Sequence, residues 1–159
     1  MTGERILIVE DNSPLGRMLA GALSLEGFDA VHVHDMDAAV QHMKGNVHPD
    51  VVLLDLTLNG ERDPEIIDRV HKHCPDVPVV VVTGDDSRST YQECIEAGAH
   101  AVIVKAEKFA HESIYRAVFS AIHASKPHKM ITNFGKRLGR IWAGEPEQTL
   151  PPQAFGVTG

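Results

Sequence analysis

Five polar residues stand out because each follows an apolar run. Glu10 and Asp11 follow Ile6-Leu7-Ile8-Val9, Asp55 follows Val51-Val52-Leu53-Leu54, Thr83 follows Val79-Val80-Val81-Val82, and Lys105 follows Ala101-Val102-Ile103-Val104. An apolar run of this length reads as a strand buried on both faces, as in a parallel sheet. An ionised side chain is costly to bury without a partner, so Asp55 belongs where such a strand opens onto a rim. Ligands of open parallel α/β sheets bind at that rim, outside the C-terminal ends of the strands. Three carboxylates, a hydroxyl and an ammonium are thereby directed to one edge of one sheet.

Glu10, Asp11 and Asp55 cannot gather there unneutralised, since two unit charges 4 Å apart repel by about 4 kcal/mol at an effective dielectric of 20. Either some of them protonate or a cation joins them. Clustered carboxylates with few nitrogen ligands suit a hard divalent ion such as Mg²⁺, which keeps several waters and often contacts phosphate. Lys105 adds a mobile positive charge, and the Thr83 hydroxyl can donate to an anionic oxygen. A carboxylate placed beside a cation, a lysine and a hydroxyl donor has what an aspartate needs to accept a phosphoryl group.

The elements that must position these residues can be read in order. Ser13-Pro14 gives a helix start with Ser as N-cap, and Leu15, Met18, Leu19, Ala22 and Leu23 form one apolar stripe that stops at Gly27. Residues 28–33 form a weaker edge strand, with Val31 and Val33 on one face and His32 and His34 on the other. A helix over about 36–44 leads to the central strand. Residues 59–63 read as a polar loop, and Asp63-Pro64 starts a helix whose apolar face is Ile66, Ile67 and Val70. A helix over about 87–97 stops at Gly98. After Lys105 comes a helix carrying Phe109, Ile114, Val118, Phe119 and Ile122. Five alternations of strand and helix with short connections define an α/β domain of three layers around a parallel sheet.

Composition bounds what this domain does. The chain has 159 residues, 43% of them hydrophobic and 23% charged, values typical of a globular protein with one core. Its net charge of −7 speaks against direct nucleic-acid binding. Cys74 and Cys94 are isolated, which suggests neither a disulfide framework nor a zinc knuckle. Without an apolar stretch near Met1 or a run of membrane-spanning length, a cytoplasmic protein is expected. Ten histidines invite metal readings, but neither His32/His34 nor His71/His73 has an evident third ligand, and solvated surface is the simpler account.

Glu10-Asp11, Asp55, Thr83 and Lys105, in this order after strands one, three, four and five, resemble the receiver domain of two-component response regulators over residues 5–124. The resemblance implies a flavodoxin-like (βα)5 fold with strand order 2-1-3-4-5. It further implies that Asp55 takes a phosphoryl group from a phosphohistidine on a sensor histidine kinase or a histidine phosphotransfer protein. Asp11, Asp55 and the backbone carbonyl of Thr57 would hold Mg²⁺, with Glu10 acting through water, while Thr83 and Lys105 contact the phosphoryl oxygens. Such a domain is a phospho-acceptor, not a turnover enzyme, and signals by a changed affinity for a downstream protein. Three positions depart from the family pattern: Ala106 where a proline is usual, Val102 where the fifth strand usually carries an aromatic ring, and a Thr57-Leu58-Asn59-Gly60 loop without the usual proline. A haloacid-dehalogenase-type phosphatase also uses an Asp and Mg²⁺, but it wants a second Asp where this chain has Thr57, and its acidic pair follows the nucleophile.

The expected division is a receiver at 1–125 and an extension at 126–159, with an amphipathic helix at about 128–143 and a proline-rich tail. Met130, Ile131, Phe134, Leu138, Ile141 and Trp142 share one face of that helix, and Lys129, Lys136, Arg137 and Arg140 lie elsewhere on it. It would pack on its own domain or on a twin in a homodimer; a partner protein or a membrane surface is the rarer use. The competing reading of the whole chain is a constitutive interaction module, a pseudo-receiver acting through this helix. A stand-alone receiver is the expectation.

Overall fold

In the computed structural model, residues 3–105 and 110–124 are described. The elements are β1 (Arg5–Val9), α1 (Ser13–Leu25), β2 (Asp29–Val33), α2 (Met36–Lys44), β3 (Val51–Asp55), β4 (Thr57–Leu58), β5 (Glu61–Arg62), α3 (Ile66–His73), β6 (Val79–Thr83), α4 (Arg88–Glu96), β7 (Ala101–Val104) and α5 (Ala110–Ala124). Five strands form one parallel sheet in the order β2-β1-β3-β6-β7. With the β4–β5 hairpin set aside, this is the expected order 2-1-3-4-5.

The apolar runs of β1, β3 and β6 bury both of their faces, and alternate residues feed two separate cores, whereas the run of β7, at the edge of the sheet, is only half-buried. Leu7, Val9, Val52, Leu54, Val79 and Val81 pack with Met36, Val40, Met43, Ile66, Ile67 and Val70 of α2 and α3. Ile6, Ile8, Val51, Leu53, Val80 and Val82 pack with Leu19 and Leu23 of α1 and Ile114, Val118 and Ile122 of α5. Val102 is half-buried against the first core, and Ala101 and Ile103 lean on the second. The result is helix, sheet, helix, with every polar strand end left at the rim.

Several local expectations change. The cap of α1 is Asn12, whose side chain accepts from Leu15 N at 3.0 Å, so Ser13 is already the first helical residue. Met18 is 60% exposed and Ala22 is also exposed, which narrows the buried stripe of α1 to Leu19 and Leu23 with the small Gly16. The stretch read as a polar loop is a two-residue hairpin, β4 pairing with β5 around Asn59-Gly60, which have φ of 56° and 79°. Two left-handed residues in succession are what a type I′ turn requires, and Asn-Gly supplies them at least cost. Asp63 does cap locally, accepting from Glu65 N at 2.9 Å, but α3 begins only at Ile66.

The described residues up to Ile122 form one compact unit. The expected boundary at 125/126, the helix at about 128–143 and the tail lie outside the described residues, as do Phe109 and Ala106. Among the described residues no helix is long and apolar enough to cross a membrane.

Candidate functional site

At the C-terminal rim the chain leaves β1 and β3 side by side, with Val9 paired to Leu54. This delivers Glu10 and Asp55 nearly out of solvent, at 3% and 5% exposure. Oxygens of Glu10, Asp11 and Asp55 lie within 4.8 Å of one another.

Each carboxylate is fixed by a backbone N–H from a neighbouring loop. Asn12 N donates to Glu10 Oε1 at 3.1 Å, Asn59 N to Asp11 Oδ2 at 2.9 Å, and Thr57 N to Asp55 Oδ1 at 3.0 Å. Two of these three donors come from the β4–β5 hairpin, so the turn read as plain loop is part of the site. Lys105 closes the cluster from the far side, with Nζ at 2.9 Å from Glu10 Oε2 and 2.8 Å from Asp55 Oδ2. Its backbone N donates to the Thr83 carbonyl at 2.7 Å, which ties the ends of β6 and β7 together. Thr83 is 1% exposed, and its hydroxyl oxygen accepts from Asp85 N at 3.1 Å.

The electrostatics follow from this packing. Burial raises the Glu10 carboxyl above its ordinary value, and the hydrogen bonds from Lys105 and Asn12 N only partly counter that. Burial alone would lower the Lys105 ammonium, but its hydrogen bonds to Asp55 and Glu10 outweigh it and the pKa is raised. Lys105 is therefore a fixed cation at neutral pH, and two nearly buried anions share it. Burial pushes both the Cys74 and Cys94 thiols up, which disfavours a thiolate nucleophile at either.

The expected site residues thus converge: Glu10, Asp11, Asp55 and Lys105 in one cluster, Thr83 at the adjoining strand end, and Thr57 exposed but reaching Asp55 through its backbone N–H. Among the described residues, neither histidine pair belongs to a group of three or more metal-ligating side chains. His32 is not simply solvated. Its Nε2–H donates to the Glu10 carbonyl at 2.7 Å, and its ring covers Gly16 so closely that a Cβ there would sit 2.1 Å from Nε2. The sequence carries no signal for this contact, which joins distant positions only through the fold. For the hairpin the signal was the Asn-Gly pair itself.

The model of the response regulator receiver domain family matches residues 6–118. The chain belongs to that family. Regulatory protein AtoC of Escherichia coli (strain K12) is 28% identical over 138 residues, 87% of this chain and 29% of AtoC. The phosphate regulon transcriptional regulatory protein PhoB of Shigella dysenteriae is 33% identical over 160 residues, 95% of this chain and 69% of PhoB. This receiver therefore spans less than a third of AtoC. The crystal structure of a CheY-like receiver domain protein from Methanospirillum hungatei JF-1 superposes with a TM-score of 0.70 at 21% identity, covering 79% of this chain and 98% of that one. It shares the fold.

Proposed function

We propose that Asp55 accepts a phosphoryl group from a phosphohistidine and that the phosphorylated receiver alters its affinity for a downstream protein. The observation that carries this reading is the division of labour around Asp55: Lys105 holds one oxygen and Thr57 N the other, while Glu10 and Asp11 supply further oxygens within 4.8 Å.

A set made wholly of carboxylate oxygens fits a hard divalent ion, and the repulsion among them gives it a reason to bind. Asp11, Asp55 and the Thr57 carbonyl would hold Mg²⁺, with Glu10 acting through water. When bound, the ion neutralises the clustered carboxylates and the charge on the transferring oxygens. The chain itself does the rest. One Asp55 oxygen forms the new O–P bond as the N–P bond to the donor imidazole breaks, leaving the electron pair on that nitrogen. Lys105 stays protonated and contacts a phosphoryl oxygen, and the Thr83 hydroxyl donates to another. Since a ligand shifts an equilibrium only by its differential interaction with the two states, these new contacts supply the bias. The donor is a sensor histidine kinase or a histidine phosphotransfer protein.

Incubation with a small acyl phosphate and Mg²⁺ tests the reading by mass spectrometry. A gain of one phosphoryl group, absent in Asp55→Ala, is expected. No gain with any donor, or a gain that survives Asp55→Ala, refutes it and leaves the constitutive module as the better account.

A further inference from the structure

The peptide unit between Glu10 and Asp11 is planar, and a carboxylate of the clustered site hangs from each end of it. Its orientation therefore decides whether both side chains can face Asp55. The edge strand β2 holds the chain on both sides of the Glu10 Cα. Glu10 N donates to the Val33 carbonyl at 3.1 Å, and the Glu10 carbonyl accepts from His32 Nε2–H at 2.7 Å. The His32 ring is itself confined. It lies over Gly16 of α1 with no room for a Cβ beneath it, and the His34 ring meets it edge-on with centroids 4.9 Å apart. His34 Nδ1 stands 3.0 Å from Ser13 Oγ at the start of α1. A half-buried imidazole is thus wedged between β2, α1 and the loop that carries two of the three carboxylates.

We propose that His32 is a positioning residue for the metal site: its bond to the Glu10 carbonyl keeps the Glu10 and Asp11 carboxylates gathered at Asp55, so that Mg²⁺ meets a site already assembled. The inference rests on the Mg²⁺ site proposed above. Glu10, Asp11 and Asp55 repel one another. Without the brace, the loop relieves that repulsion by turning the Glu10–Asp11 peptide and moving Asp11, the more exposed of the two, outward. A cation must then regather the carboxylates as it binds, and that reorganisation is subtracted from its affinity. Removing a group that holds metal ligands from behind typically weakens metal binding by about 10–100-fold. None of Glu10, Asp11, Asp55, Thr83 and Lys105 comes from β2, and His32 gives that strand a share in the site.

Titration of the full chain with magnesium chloride tests this, followed by the NMR shifts of the Asn12, Thr57 and Asn59 amides, whose N–H groups bond to the three carboxylates. His32→Phe keeps a ring over Gly16 and removes the donor, whereas His32→Gln keeps a donor and removes the ring. His32→Phe should raise the Mg²⁺ dissociation constant on the order of tenfold, and His32→Gln should recover most of that loss. Val118→Ala truncates a fully buried side chain of α5; it should lower the unfolding midpoint and leave the dissociation constant unchanged. Wild-type binding with an equal constant in His32→Phe overturns the positioning role and leaves the metal site standing. A constant that rises as much in Val118→Ala as in His32→Phe also overturns it, since the effect is then one of stability. Absence of any Mg²⁺-dependent shift in the wild type overturns the metal reading and this proposal together.

Discussion

Replacing Lys105 by Met keeps most of the apolar stem and removes the ammonium that Glu10 and Asp55 share at 2.9 and 2.8 Å. The two carboxylates are then left nearly buried, with oxygens within 4.8 Å of each other. At that separation and an effective dielectric of 20 their repulsion is about 3.5 kcal/mol. Breaking a fully buried ion pair costs about 3–5 kcal/mol. The Lys105 side chain is 29% exposed, and Glu10 can relieve the repulsion by taking a proton, so about 2–3 kcal/mol is expected at pH 7 without divalent ions. Urea unfolding followed by circular dichroism in EDTA should show this as a midpoint lowered by about 1–2 M. The pH dependence has a definite sign. Burial raises the folded pKa of Glu10 above its ordinary 4.5, and loss of Lys105 raises it further. The folded state then binds more protons than the unfolded one, so stability is full below 4.5 and is lost as pH rises through the folded value. The deficit of Lys105→Met should therefore shrink toward pH 5, and millimolar Mg²⁺ should narrow it at pH 7. An unchanged midpoint at pH 7 in EDTA, or a deficit that grows on acidification, would refute this electrostatic account.

Two further outcomes can be checked by unfolding alone. Gly16→Ala gains about 1 kcal/mol of helix propensity but drives a Cβ into the His32 ring; overpacking of about 1–3 kcal/mol and loss of the Glu10 carbonyl bond leave a net destabilisation of about 1–2 kcal/mol. In a His32→Ala background the same change should stabilise, and equal effects in both backgrounds would show that the ring is not the obstacle. The Asp85 carboxyl is lowered from 3.8 to about 2, first by the Thr90 hydroxyl and then by Ser87 N. Its contribution is present above 3.8 and is lost as pH falls through about 2. Asp85→Asn should lack that part of the acid-induced loss of stability, and parallel acid curves would contradict the assignment.

What the sequence made legible was whatever rests on burial. A short, β-branched apolar run such as Val79–Val82, bounded by turn residues, reads as an interior strand of a parallel sheet, and once such strands are aligned their polar ends meet. The site followed from the same fact. Details that depend on one side chain meeting another across the fold were not legible. Ser13 and Asn12 are both competent caps, and propensity cannot choose between neighbours. Met18 has the spacing of a core residue, yet the inner face of α1 is held close by Gly16 under His32, a contact between distant positions. The hairpin carried its Asn-Gly signal, but two-residue strands give no alternation to confirm it. Arg62 carries no local signal, because its partners Thr90 and Glu93 lie 28 and 31 residues away.

The twin cores on the two faces of the sheet carry a further consequence. Where one face of a strand is wet, a slip of one residue is punished at once by exposing oil and burying charge. Here β1, β3 and β6 are oily on both sides, so a slipped strand would bury nearly as much and hydrophobicity is a poor judge of alignment. The polar groups at the strand ends must decide instead: Asp50 Oδ2 accepting from Arg5 N at 2.8 Å below, and Lys105 joining Glu10 to Asp55 above. The residues proposed to carry the chemistry are thus also pegs that set the strands in step, and a substitution among them is expected to cost stability as well as phosphoryl acceptance.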